Sequence, residues 1–204
     1  KFGSDKKDNT PHLFNVNGVM IESYFSPTDN TTIEIVESVN SANDDLQFSI
    51  LTFTNNELGS AVINAHNNGV DVRGVIDNIN DQGGEFDNLI NNGVNVTDDN
   101  VGFQTHHKYC IIDATNPASD PIVVTGSHNW SASADTRNDE NTLIFHDAAI
   151  ANIFLQEFEA RWCEIMNGGN CTTGAEDLNE IEGFSAEIYP NPASEVANIK
   201  LEIE

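Results

Sequence analysis

The segment QTHHKYCIID, residues 104–113, sets His106, Lys108 and Asp113 in the spacing H-x-K-x4-D. An imidazole can attack an electrophile or carry a proton, and an ammonium can hold an anion. If residues 109–112 form a strand, His106 and Lys108 project to one face, because strand side chains repeat with a period of two. A nucleophilic ring and a cation then meet at the mouth of an apolar strand, which suits an anionic substrate. A second apolar run, VVTGSHNW (123–130), delivers Ser127 and Asn129, again two apart and on one face. Glu140 follows just before TLIF. His107 and His128 sit between these positions and are expected to face away. Arg137, the nearest other cation, and Trp130 are candidate substrate contacts, and Phe103 with Trp130 could form an apolar rim, although Trp130 also reads as a core residue.

These groups must be carried by strand ends. VMIESYF (19–25) reads as a strand, SPTDN as a turn, and Thr28, Asp29 or Asn30 as the cap of a helix with Ile33, Val36 and Val39 on its inner stripe. LQFSILTF (46–53) is a buried strand, and 56–67 a helix with Leu58, Val62 and Ala65 inward. A strand at 70–77, a short helix at 83–93 and a strand at 94–96 follow. The second half is richer in strands and closes with a helix at 147–163, whose Phe154, Phe158 and Trp162 are core residues. The alternation predicts an α/β fold, a mixed, largely parallel β-sheet sandwiched between helices. In open α/β sheets, sites gather at strand ends. The domain reading is an N-terminal extension over 1–17, a catalytic domain over 18–172 and a tail over 173–204.

The chain has 204 residues and a net charge of −25, from 33 acids against 8 bases. Such a surface stays soluble and repels anionic membranes and nucleic acid unless salt screens it; it reads as adapted to saline surroundings. No calcium-hand loop, H-E-x-x-H motif or dense Asp/His metal spacing is present, so neither metal nor cofactor is expected. No run has the apolar length of a transmembrane segment. KFGS at the start reads as an engineered scar. Cys110 lies in an apolar run and reads as a small core residue. Cys163 and Cys171 bracket a glycine-containing loop. A disulfide between them is expected, implying an oxidising, extracytoplasmic setting.

H-x-K-x4-D followed by G-S-x-N resembles the signature of the phospholipase D superfamily, and YFSP and VDVRGVID resemble the upstream part of its single-motif members. The resemblance covers roughly residues 18–163, with ATNPASDP a longer connection between the motif halves. It implies a phosphodiesterase with a phosphohistidine intermediate. His106 is then the nucleophile, Lys108, Ser127 and Asn129 form the phosphate pocket, Glu140 fixes a histidine tautomer by hydrogen bonding, and Asp113 is structural. The chemistry needs two histidines and the chain holds one motif, so a homodimer sharing one site is implied. The tail IYPNPASEVANIKLEI resembles the start of the C-terminal sorting domain of Bacteroidetes type IX secretion, which implies a secreted or cell-surface protein. For the substrate, a nuclease acting on DNA or RNA leads. A phospholipase D acting on glycerophospholipids and a non-catalytic surface module stay open. Against the nuclease stands the scarcity of Lys and Arg for phosphate contacts.

Overall fold

The computed structural model describes residues 3–100, 102 and 104–168, and the backbone of two further strands at 184–189 and 198–203. β1 (Leu13–Val16) and β2 (Val19–Phe25) form a hairpin. Its turn residues, Asn17 and Gly18, both take positive φ (53° and 96°), as a tight hairpin turn with the right twist requires. The sequence reading placed residues 1–17 outside the fold. The Asn-Gly pair between LFNV and VMIE was the signal for a hairpin there.

α1 (Thr31–Asn40) leads to β3 (Asp45–Ile50), α2 (Asn56–Asn67), β4 (Asp71–Ile76), α3 (Phe86–Asn91) and β5 (Asn95–Asp98). β6 (Lys108–Ile112), β7 (Ile122–Gly126), α4 (Ala132–Thr136), β8 (Asn141–His146) and α5 (Ala148–Asn167) follow. α2 starts where Asn55 accepts the amides of Glu57 and Leu58, satisfying two of the four orphan donors of a helix start. α1 lacks such a cap. Asn30 holds the N-cap position in a left-handed conformation without a side-chain bond. Instead, Asp135 of α4 accepts the Thr32 amide at 3.2 Å. The inner stripe of α1 runs through Ile35 and Val39, and Ile33 is exposed.

The sheet has eight strands in the order β1-β2-β8-β7-β6-β3-β4-β5. It is mixed, as expected, but its parallel part is confined to β3, β4 and β5. All other ladders are antiparallel. β6 and β7 are joined by a loop without a helix, which reverses the chain, whereas the parallel pairs β3–β4 and β4–β5 are joined through the helices α2 and α3.

Both faces of the sheet are covered. Leu46, Phe48, Ile50, Cys110 and Ile112 pack under α1 and α2. Tyr109, Ile111 and Val123 alternate to the other face and pack with Phe158 of α5. Cys110 is fully buried, and burial pushes its thiol up to about 12, so it is an inert core residue. Cys163 is disulfide-bonded; Cys171 lies outside the described residues. The 172/173 boundary and most of the tail also lie outside them. Within the tail, β9 (Phe184–Tyr189) and β10 (Asn198–Ile203) pair antiparallel in a sheet of their own.

Candidate active site

β6 lies between β7 and β3 and runs antiparallel to both, so its first residue, Lys108, sits where its two neighbours end. After β7 the chain does not turn straight back. Trp130 bridges to Phe53 beyond the end of β3. The Trp130 carbonyl accepts the amides of Thr54 and Asn55, and its own amide donates to Thr52. The segment Ser127–Asn129 must therefore cross over the start of β6. This crossing brings the G-S-x-N half of the motif to the H-x-K half.

His106 is exposed and Lys108 is buried beneath it. Lys108 Nζ lies 3.2 Å from His106 Nδ1 and donates to the His106 carbonyl at 3.0 Å. With Nδ1 engaged, Nε2 is the nitrogen left to attack. Burial pushes the Lys108 ammonium below its usual range, while Glu140 and Asp77 act to restore the charge. A cation held partly desolvated over two carboxylates is ready to accept an anion.

Glu140 does not meet a histidine among its described hydrogen bonds. Its Oε2 accepts the Ser127 hydroxyl at 2.5 Å, and its Oε1 accepts from Asn138 Nδ2 at 3.0 Å. The reason is local. Ser127 and Asn141 pair across β7 and β8, with the Ser127 amide donating to the Asn141 carbonyl and the Asn141 amide to Ser127 Oγ. Glu140 is thus placed directly against the serine. Gly126 permits this close approach. Its φ is +155°, and a Cβ there would lie 2.1 Å from the Asn141 carbonyl oxygen.

Asn129 stands in the same crossing segment, with a buried Oδ1 that has no hydrogen-bond partner among the described residues. His128 faces away into the protein as expected; burial lowers its pKa. His107 also turns away, towards α5, with Nε2 4.0 Å from Glu157 and its ring 5.4 Å from that of Tyr109. Arg137 is exposed at the end of α4. Trp130 is corrected from a substrate contact to a core residue. It is 2% exposed and wedged against Phe48 and Phe53, with ring centroids at 5.4 and 4.7 Å. Phe103 lies outside the described residues.

Asp113 follows the last residue of β6, at the opposite end of the strand from Lys108. It is 1% exposed and accepts the amides of Asn43 and Asp44, both at 2.9 Å, and the Ser119 hydroxyl at 2.6 Å. It ties the α1–β3 connection to the β6–β7 loop. Two acids at the site carried no role in the sequence reading. Asp77, at the end of β4, and Asp99, after β5, both accept the Thr105 amide, at 2.7 and 3.0 Å. The strand-end position of Asp77 in VDVRGVID was the available signal; nothing local marked Asp99.

A cavity of about 350 Å³ opens beside His106 on the α5 side, lined also by His107, Tyr109, Thr125, Ile153 and Phe154. Among the described residues no helix is long and apolar enough to cross a membrane.

The family model described as "Cardiolipin synthase, PLD-like domain" matches residues 35–162, and the chain belongs to that family. A mitochondrial cardiolipin hydrolase from Chlamydomonas reinhardtii is 31% identical over 140 residues, covering 68% of this chain and 60% of that protein. A phospholipase D from Rickettsia bellii is 28% identical over 143 residues, covering 69% and 68%. The chain thus spans about three-fifths of the first of these relatives. The crystal structure of Nuc, a phospholipase D family member from Salmonella typhimurium, superposes with a TM-score of 0.61 at 26% identity, covering 71% of this chain and 94% of that one.

Proposed function

We propose that the chain is a secreted phosphodiesterase working through a phosphohistidine on His106, at a site completed by a second copy of the chain. The observation that carries the reading is the exposed imidazole held over a buried ammonium, 3.2 Å apart. In the first step Nε2 of His106 forms a bond to phosphorus, the bond to the leaving oxygen breaks, and a second imidazole gives that oxygen a proton. The same second imidazole then takes a proton from water, which displaces the histidine and regenerates it. Lys108 and Asn129 hold the non-bridging oxygens as charge grows on them. Glu140 and Ser127 form a bonded pair at the rim of the pocket, and a phosphate oxygen competing for the Ser127 hydroxyl would release the carboxylate. The second imidazole is His106 of the partner subunit, because the chain carries one H-x-K-x4-D.

The substrate reading favoured by the electrostatics is a zwitterionic glycerophospholipid. The charged groups around the site include Asp77, Asp99, Glu140 and Glu157, and the net charge is −25. A polyanion needs a row of Lys and Arg to displace its counterions. The apolar cavity bounded by Ile153 and Phe154 gives an acyl or glyceryl group a place beside His106. The nuclease reading rests on the likeness to single-motif family members and is the second reading. Secretion rests on the likeness of the tail to a sorting domain and on the disulfide-bonded state of Cys163.

The experiment is a paired assay in EDTA, wild type against His106→Ala. One arm measures headgroup release from phosphatidylcholine vesicles and the other plasmid nicking. Headgroup release by the wild type alone supports the lipid reading, and nicking by the wild type alone supports the nuclease. Equal activity in both proteins removes His106 chemistry, and activity in neither arm removes both substrate readings. Sedimentation of the same samples tests the dimer, and an active monomer would sink it.

A further inference from the structure

His106 does not lie within a strand. It precedes β6, at the end of a connection that begins after Asp98. A nucleophile on such a segment needs something to fix it, since the positions of reacting atoms must hold to within a fraction of an ångström. From the β6 side, Lys108 contacts His106, and the His107 carbonyl accepts the Leu51 amide at 2.9 Å. On the other side is the Thr105 amide, which donates to two carboxylates at once: Asp77 Oδ2 at 2.7 Å and Asp99 Oδ2 at 3.0 Å. Asp77 is anchored at the end of β4, where its own amide donates to the Ile50 carbonyl. The amide next to the nucleophile is thereby tied to the rigid parallel part of the sheet.

We propose that Asp77 and Asp99 are a positioning pair that latches the Thr105 amide and so fixes His106 over Lys108. Two carboxylates accepting one N–H lie close enough to repel if both are ionised. Burial, together with the hydrogen bond and charge of Asp99, pushes the Asp77 carboxyl above its ordinary value, against the opposing pull of the Thr105 amide and His106. The charged groups that act on Asp77 are Asp99 from the β5–β6 connection and His106 and Lys108 from the start of β6. Glu140 reaches the same Lys108 from the β8 side. On the α5 side, Arg161 and Glu164 line the cavity that Thr105 and His106 share.

A raised carboxyl pKa means that the folded state holds the proton more tightly than the unfolded chain. The stability carried by that proton is therefore full below the ordinary value of about 3.9 and is lost as pH rises through the raised one, whereas the bond from the Thr105 amide favours the ionised carboxylate.

The inference builds on the phosphodiesterase reading, and its test has an arm that does not need activity. Asp77→Ala, Asp77→Asn and Asp99→Asn are compared with the wild type on bis(p-nitrophenyl) phosphate, and the Thr105 amide is followed by ¹H–¹⁵N NMR against pH. Asp77→Ala is expected to lower kcat on the order of 10- to 100-fold with KM near its wild-type value, since a misplaced nucleophile loses rate rather than binding. Asp77→Asn keeps an acceptor for the amide and should recover most of that loss. In the wild type the Thr105 amide signal should move with pH across the carboxyl range, and in Asp77→Asn that movement should shrink. A Thr105 signal indifferent to pH in the wild type would overturn the latch, as would wild-type kcat in Asp77→Ala. Failure of the wild type to cleave any diester would reject the phosphodiesterase reading, and the Thr105 titration would still decide the latch.

Discussion

Lys108 Nζ lies 3.2 Å from His106 Nδ1 and also donates to the His106 carbonyl. The strand therefore supplies both the cation and a brace for the imidazole two residues earlier. The Lys108 ammonium is held below its usual pKa by burial, so the folded protein carries a cost for keeping it charged, and this cost is present at neutral pH.

Replacing Lys108 by Met should remove both roles at once. The variant keeps the buried stem and removes the charge. Its kcat/KM should fall by about 10² to 10³, the loss typical of removing one donor to a developing oxyanion. Its melting temperature should stay level or rise, because the desolvated charge is gone. Diester turnover and a thermal melt on one preparation check both.

Gly126→Ala tests the crossing at the pocket rim. A Cβ at 126 would meet the Asn141 carbonyl at 2.1 Å, so β7 and β8 must part there, displacing Ser127 and Glu140. Destabilisation of about 1–3 kcal/mol is expected from overpacking and the positive φ. Activity should fall further than the unfolded fraction explains, seen by comparing turnover with denaturant midpoints.

Asp113→Ala removes the acceptor of the Asn43 and Asp44 amides and the Ser119 hydroxyl. Hydrogen bonds to a charged group contribute about 1.5–3 kcal/mol, and donors left buried add to the loss, so urea unfolding should show a cost of at least about 3 kcal/mol. Burial acts to raise the Asp113 pKa, but the Ser119 hydroxyl and the Asp44 and Asn43 donors outweigh it and hold it low. The stabilisation is therefore present above the ordinary value of about 3.9 and disappears as pH falls through the lower folded value. Asp113→Asn should flatten that acid limb.

His146 closes the far edge of β8. Nε2 lies 2.9 Å from Glu22 on β2, and Nδ1 lies 2.8 Å from Asp120 in the β6–β7 loop. Burial acts to lower its pKa, yet the two carboxylates raise it overall. Stability from this clamp is full below the ordinary histidine value of about 6.5 and disappears as pH rises through the raised one. Melting temperature against pH should decline over that window in the wild type and stay flatter in His146→Ala.

Trp130→Phe should leave diester turnover near wild type, because the indole packs on Phe48 and Phe53 within the core. Trp130→Ala should cost about 3–5 kcal/mol. A selective loss of KM in Trp130→Phe, without loss of stability, would return this residue to the substrate pocket.

Much of the molecule is readable from local patterns. The sequence by itself determined the helix at Asn56–Asn67, the strand that starts at Lys108 and the strand that leads into Ser127, because apolar periodicity and capping residues act over a few positions. It also paired His106 with Lys108, two positions apart at the start of β6. Only the tertiary structure decided that Trp130 is core, that Glu140 meets Ser127, and that the second half of the sheet reverses strand by strand. It alone joined Asp77 and Asp99 through Thr105. Each depends on which strand lies beside which. That order is set by burying both faces of one sheet at once, a long-range condition that no short stretch of sequence encodes.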